Sequence, residues 1–311
     1  MKRYVITGGL GFIGSHLAER LVDIADVWVI DNQASNVVDA IPGTKLILDD
    51  MAVADWPEDI DGIFHLAGPV GPVGVLSWAG KIVPDVIRCA ERVRQEAIIN
   101  DCPVVYVSTS EVYGLQEQPV KETSPRVIAA GSSARMEYAV AKMAAETMLL
   151  NTDFLDVRII RPFNVAGPRQ SEQGGFVLPR FMRQARSGEA MTVYQPGTQR
   201  RAFTHVLDIV EGIYRAMRLG KQGEVYNLGN DLNECSIYEL AREIHDIMGS
   251  ASPIEIVDPT IIWGLGFKEA PDKIPYARKA MRELGWQPLR NRSQIILDVL
   301  AWNEATGWAR G

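Results

Sequence analysis

The 311-residue chain predicts an α/β fold in which a doubly wound parallel sheet is followed by a smaller C-terminal substrate-binding domain. Two observations point there. From Lys2 to about Pro162, short runs rich in β-branched and aromatic residues alternate with helix-like stretches, and that alternation implies βα units and a parallel sheet. The first unit places glycines where its strand passes into its helix, as a backbone that must approach a phosphate requires. After Gly167 the pattern changes to segments punctuated by Gly and Pro. The expected division is residues 1–167 for the dinucleotide-binding domain and 168–311 mainly for a lid, with 202–230 returning to the first domain.

Taken in order, the expected strands are Tyr4-Ile6, Asp26-Ile30, Lys45-Leu48, Gly62-Leu66, Val104-Ser108 and Val157-Arg161. Between the first strand and a helix over Ser15-Val22 lies Thr7-Gly8-Gly9-Leu10-Gly11-Phe12-Ile13-Gly14. Side chains at Gly8, Gly11 or Gly14 would block a pyrophosphate, while the helix N-terminus, with Phe12 and Ile13 beside it, offers free N–H groups and partial positive charge. Asp31 ends the second strand about 20 residues on, where a carboxylate accepts hydrogen bonds from ribose hydroxyls and repels a 2′-phosphate. This Rossmann pattern therefore calls for NAD rather than NADP. His16 and His65 fall inside these motifs as packing or orienting residues. Further helices are expected near Leu178-Ser187, Ser236-Met248 and Ser293-Asn303, and Ser236 with Glu239 has the spacing of a capping box.

Composition excludes several classes. With 47% hydrophobic and 23% charged residues and a net charge of −7, the chain has no basic footprint for nucleic acid. An acidic protein that binds anionic ligands must hold them with local arginines and helix N-termini. Cys89, Cys102 and Cys235 are scattered, odd in number and without metal-ligand spacing, which reads as buried free thiols in a reducing cytoplasm and no metal. Strand-like residues begin by Tyr4, which leaves no room for a signal peptide. No apolar run approaches the ~18 residues of a membrane span.

The chemistry is concentrated in Ser108-Thr109-Ser110-Glu111-Val112-Tyr113-Gly114 and in Tyr138 and Lys142. Tyr138 and Lys142 are four apart in Glu137-Thr147, which lacks Gly and Pro and reads as helix, so they share one face. A phenol with an ordinary pKa of about 10 is a poor base at neutral pH, and a nearby ammonium or a positive nicotinamide favours its ionised form. Tyr138 can then take a hydroxyl proton while the carbon gives up hydride, with Thr109 hydrogen-bonded to the same oxygen.

These motifs, in this order and over nearly the whole chain, resemble the extended short-chain dehydrogenase/reductase family, whose members modify nucleotide sugars with tightly held NAD. The resemblance implies oxidation at O4 of the hexose of a nucleoside diphosphate sugar, most closely a UDP-sugar, to a 4-keto intermediate. It adds Asn32, Asp50, Met51, Leu66, Ala67, Gly68 and Ser108 to the cofactor contacts, although an Asp at position 50 is equally an ordinary strand-end residue. Asn164, in Arg161-Pro162-Phe163-Asn164-Val165-Ala166-Gly167-Pro168-Arg169, is implied to reach the substrate phosphates. Arg201, two residues before Phe203, is implied to clamp them, as a guanidinium fork suits. Arg200 and His205 are surface or packing residues on this reading.

The reaction after oxidation turns on Ser110 and Glu111, which the resemblance places beside C5 and C6. A Glu there could start an elimination or, with a C6 carboxylate present, serve proton return after decarboxylation. The Thr-Ser-Glu triplet resembles UDP-glucuronate decarboxylases and GDP-mannose 4,6-dehydratases; 4,6-dehydratases of the TDP-glucose type often carry Asp where Ser110 stands. Decarboxylation of UDP-glucuronate is favoured, with 4-epimerisation or 4,6-dehydration of a nucleotide sugar as alternatives. A non-catalytic NAD-binding sensor or scaffold is the competing class, and intact Thr109, Tyr138 and Lys142 argue against it. Two departures stand out. In Ala270-Pro271-Asp272-Lys273-Ile274-Pro275, Lys273 occupies the place of an Arg expected to meet the sugar carboxylate, and lysine cannot grip it bidentately. The segment Gly68-Pro69-Val70-Gly71-Pro72-Val73-Gly74 replaces much of the usual substrate-facing loop. The resemblance also implies a homodimer built on the helix of Tyr138 and its neighbour.

Overall fold

The computed structural model describes residues 1–69, 71–128, 133–263 and 272–308. Val70, Ala270 and Pro271 of the segments above lie outside them. Seven parallel strands form one sheet: β1 (Arg3–Thr7), β2 (Asp26–Asp31), β3 (Lys45–Leu48), β4 (Gly62–His65), β5 (Val104–Val107), β6 (Val157–Pro162) and β7 (Val225–Leu228). Their order is β3-β2-β1-β4-β5-β6-β7. The direction of winding reverses between β1 and β4, so a crevice opens beyond the carboxyl ends of those two strands. All six strands expected from the sequence are present within a residue at either end, because each is a short apolar run bounded by turn residues.

The helices are α1 (Phe12–Leu21), α2 (Ile82–Ile99), α3 (Ala134–Leu150), α4 (Val177–Ser187), α5 (Val206–Leu219), α6 (Ile237–Met248), α7 (Arg278–Leu284) and α8 (Arg292–Thr306). Helix α1 starts three residues before the expected Ser15, with Gly11 as an N-cap that supplies no side-chain hydrogen bond. The glycine turn thus runs straight into the first helical turn. Ser133 caps α3 by accepting from Met136 N at 3.2 Å, and α6 carries the expected Ser236–Glu239 capping box. The short helix Gly71–Ser77 was not foreseen, since two glycines and a proline mask its periodicity.

One face of the sheet is covered by α1, α5 and α7, with Leu17, Leu21, Ile209, Ile213, Leu284 and Trp286 in its core. The other is covered by α2 and α3 through Val86, Val93, Ala141, Ala145 and Leu149. The segment 202–230 contributes both α5 and β7 to this body. Trp286 also packs there, anchored by its indole N–H to the Asp208 carbonyl at 2.7 Å, although no sequence signal marks that return. A separate core joins α4, α6 and α8 through Phe181, Met182, Ile237, Leu240, Ile295 and Val299. No helix among the described residues is long and apolar enough to cross a membrane.

Candidate active site

At the β1–α1 turn, Gly8 holds φ +71°, a conformation that costs glycine nothing, and a Cβ there would lie 2.8 Å from the Ala67 backbone. A Cβ at Gly14 would run into the Gly8 carbonyl oxygen. The loop is therefore packed backbone to backbone, and the N–H groups at the start of α1 face the crevice without a side-chain cap. Asp31 is buried at the end of β2 and accepts from Leu10 N at 3.0 Å and Gln33 N at 2.7 Å, tying the turn to the strand end. Asn32 is exposed and turns its side chain back to Ala34 N. Asp50 pairs with Arg88 at 2.7 Å and accepts from Ala52 N, an ordinary structural engagement, and Met51 is buried in the core under it.

Leu66, Ala67 and Gly68 leave β4 along the same cleft, with Leu66 N and Ala67 N donating to Thr7. Ser108, at the end of β5, has a buried Oγ without a hydrogen-bond partner. A buried hydroxyl left orphaned at the crevice, beside a glycine cradle that no side chain could share, fits a bound dinucleotide. His65 donates or accepts at Thr7 Oγ1 over 2.7 Å and stacks on Tyr106, while His16 bonds the Pro168 carbonyl; burial pushes the His16 imidazole down to about 4. Both histidines are packing residues.

Thr109, Ser110 and Glu111 follow β5 directly, with a tight 3₁₀ turn over Ser110–Tyr113. Thr109 Oγ1 accepts from Glu111 N at 3.2 Å and stands within hydrogen-bonding reach of the Tyr138 phenol. Tyr138 and Lys142 project from α3. The buried Lys142 ammonium donates to the Val107 carbonyl at 3.1 Å, lies over the Tyr106 ring and faces Gly68. Burial pushes it down to about 8 against the opposing influence of Cys89 and Glu146. Burial, reinforced by the Glu111 charge, raises the Tyr138 phenol above its ordinary value, and the hydrogen bond with Thr109 opposes this. Burial is the larger cause and the Glu111 charge adds to it, so the lowering expected from Lys142 does not outweigh them in the protein alone.

Glu111 is the centre of a charge cluster. Arg135 grips it with two parallel bonds, Nε to Oε2 at 2.8 Å and a terminal nitrogen to Oε1 at 2.9 Å, and Lys273 Nζ donates to Oε1 as well. Burial works against ionisation of Glu111, but the charges of Lys273 and Arg135 outweigh it and hold the carboxyl far below the usual carboxylate range. Burial, with Arg135 and Arg201 nearby, pushes the Lys273 ammonium down. Asn164, at φ +38°, donates to the carbonyls of Ala202 and Lys273, and the buried Arg201 runs beside Lys273 in a backbone bridge. Asn164, Arg201, Lys273 and Glu111 are thus brought to one place. Arg200 instead pairs with Glu234, and His205 is buried against Asp298. Sequence reasoning missed Arg135. Its signal was its position three residues before Tyr138, on the same helix face.

A parallel sheet with this winding order, a glycine turn, a strand-end aspartate and a Tyr-x-x-x-Lys helix beside a Thr define an NAD-dependent enzyme of the short-chain dehydrogenase/reductase type. The chain belongs to the NAD dependent epimerase/dehydratase family, whose profile matches residues 4–229. It is 34% identical over 97% of both chains to a UDP-N-acetyl-alpha-D-glucosaminuronate decarboxylase of Bacillus cytotoxicus. It is 32% identical, over 92% of this chain and 84% of the other, to UDP-glucuronic acid decarboxylase 6 of Arabidopsis thaliana. In structure it is similar to a UDP-N-acetylglucosamine 4-epimerase of Methanobrevibacter ruminantium M1 solved with UDP-N-acetylmuramic acid, at a TM-score of 0.87 and 25% identity, covering 98% of this chain and 99% of that one.

Proposed function

We propose that this protein decarboxylates a UDP-hexuronate, UDP-glucuronate or its 2-acetamido counterpart, through a 4-keto intermediate. The observation that carries this reading is the cluster of Glu111, Arg135 and Lys273 beside Tyr138. NAD, when bound, supplies the hydride acceptor and a positive ring near the phenol. Tyr138 takes the O4 proton, Thr109 holds the same oxygen, and C4 becomes a ketone. The C6 carboxylate of a hexuronate is then β to that ketone. Its C5–C6 bond breaks with the electron pair passing into the C4–C5 enolate, carbon dioxide leaves, and C5 afterwards takes a proton. No base is needed at C5. A 4,6-dehydration would need one, and a Glu111 held ionised by two cations is a weak base. An epimerase acting on a neutral sugar has no use for paired cations at this place. The decarboxylase relatives, 34% and 32% identical over almost the whole chain, support the same choice.

On this reading Asn164 and Arg201 receive the diphosphate, Lys273 meets the sugar carboxylate, and residues 168–311, apart from 202–230, are mainly the lid. A cytoplasmic homodimer is part of the proposal. The test is to incubate the NAD-loaded protein with UDP-glucuronate, its 2-acetamido counterpart, UDP-glucose, TDP-glucose and GDP-mannose, to separate the products, epimers included, by chromatography and to weigh them by mass spectrometry. Loss of carbon dioxide from a uronate is the expected result. Uronates of unchanged mass alongside a neutral sugar that loses water or is isomerised would sink the reading, and inertness toward all five would point to the non-catalytic class.

A further inference from the structure

The substitution of lysine for arginine at position 273 leaves a puzzle, since a lysine already bonded to Glu111 is a poor receptor for a second carboxylate. The geometry around Glu111 resolves it. Arg135 alone covers both carboxylate oxygens, at 2.8 and 2.9 Å, and so makes the complete fork-to-fork pair. Lys273 is a third donor, added to an oxygen that Arg135 already serves. Its backbone is fixed: Lys273 N donates to the Arg200 carbonyl at 3.0 Å, its carbonyl accepts from Asn164, and Ile274 N donates to Gln118. Its four-carbon side chain is the part that can move. Arg135 and Lys273 both stand on the Glu111 carboxylate, and Arg201 lies beside Lys273, so cationic side chains are gathered here in an otherwise acidic protein.

We propose that Arg135 is a positioning residue: its two-point grip on Glu111 releases Lys273 to exchange from Glu111 to the carboxylate of an incoming hexuronate. The inference rests on the decarboxylase reading above. With Arg135 in place, losing the Lys273 contact leaves Glu111 satisfied, so the exchange is nearly free of desolvation cost. Without Arg135 the Glu111 charge falls on Lys273, which is then held as a closed ion pair and is no longer available to the substrate. The site loses its preference for acidic sugars without losing its grip on the nucleotide, because Arg135 has no part in the diphosphate contacts assigned to Asn164 and Arg201.

The test is calorimetric binding of UDP-glucuronate and UDP-glucose to NAD-loaded protein in a Tyr138→Phe background that stops turnover. The ratio of the two affinities is the readout, and a merely structural role for Arg135 would weaken both ligands together. The parent is expected to favour UDP-glucuronate. Arg135→Gln should cut that ratio about tenfold with UDP-glucose affinity unchanged, and adding Glu111→Gln to Arg135→Gln should restore most of it by freeing Lys273. A ratio unmoved by Arg135→Gln overturns the proposal, as does a double variant no better than the single one, which would mean that Arg135 touches the carboxylate itself. A parent with no preference for the uronate defeats the substrate reading and the proposal with it.

Discussion

Single residues set the chemistry of this site through their charge partners. Tyr138→Phe keeps the ring in place and removes only the oxygen within reach of Thr109. It should lower kcat by ~10²–10⁴ while NAD affinity, spread over the glycine turn and Asp31, stays within a few-fold. Steady-state rates and calorimetry on one preparation check both halves. At Asp31, both carboxylate oxygens already accept backbone N–H groups, so the charge is fixed in position at the end of β2. A 2′-phosphate there meets an immovable like charge, and NAD should bind on the order of a hundredfold more tightly than NADP. Equal affinities in titrations of cofactor-free protein would remove Asp31 from the ribose site. Glu111 also leaves a mark on stability. Its folded pKa lies below its unfolded value of about 4.3, so its contribution is present above that value and is lost as pH falls toward the folded one. The stability advantage of the wild type over Glu111→Gln, read from urea midpoints, should therefore be full near neutral pH and shrink steadily below about pH 4.

Elements are held in register by a buried polar network behind the site. Arg161 on β6 donates to Glu146 on α3 at 2.9 and 2.6 Å, and to the Tyr113 hydroxyl at 2.9 Å; Tyr113 in turn donates to Asn227 on β7 at 2.6 Å. Arg126 supplies Glu146 with a second cation at 2.8 Å. The network ties the turn of Thr109 and Glu111 to the helix of Tyr138 and Lys142, one turn from Glu146, and to the strand that leads to Asn164. Arg161 and Glu146 are 1% and 0% exposed, so Glu146→Gln strands a buried guanidinium and should cost about 3–5 kcal/mol of unfolding free energy in denaturant titrations. Arg161→Met combined with Glu146→Leu should cost less than that single change, since no unpaired charge remains. None of this was legible in the sequence. The strands, the glycine turn and the Tyr-x-x-x-Lys spacing are local patterns, and local patterns can be read from a chain. Arg161 and Glu146 meet only because β6 runs beside α3. Arg135 stands just before the helix expected from Glu137 and only the fold sets Glu111 against it, just as only the fold ties Lys273, expected at the sugar carboxylate, to that same Glu111.

For the molecule as a whole, the two faces of the sheet differ in what lies outside them. On one side α5 and α7 pack over β6 and β7, and α1 is roofed by the chain after Gly167 through Arg169, which bonds Ser15 and Glu19 and lies over Trp302. On the other side α2 and α3 lie side by side, and α3 presents outward the exposed Ala144 and Thr147 with the half-buried Val140. Those positions are spaced at three and four, small at the centre and without charge, so a second copy of the helix can approach closely across them. Tyr138 and Lys142 point the opposite way, into the crevice. Two copies related by a two-fold axis would pair these helices without touching Tyr138 or Lys142 of either copy, and each residue at such an interface acts twice. The protein should therefore scatter light as a dimer at micromolar concentration. Ala144→Arg places a cation on each side of the axis and should yield a monomer that still binds NAD. A wild-type protein that runs at the mass of one chain over the same concentrations would remove α3 as an interface, and a dimer unaffected by Ala144→Arg would place the contact on another face.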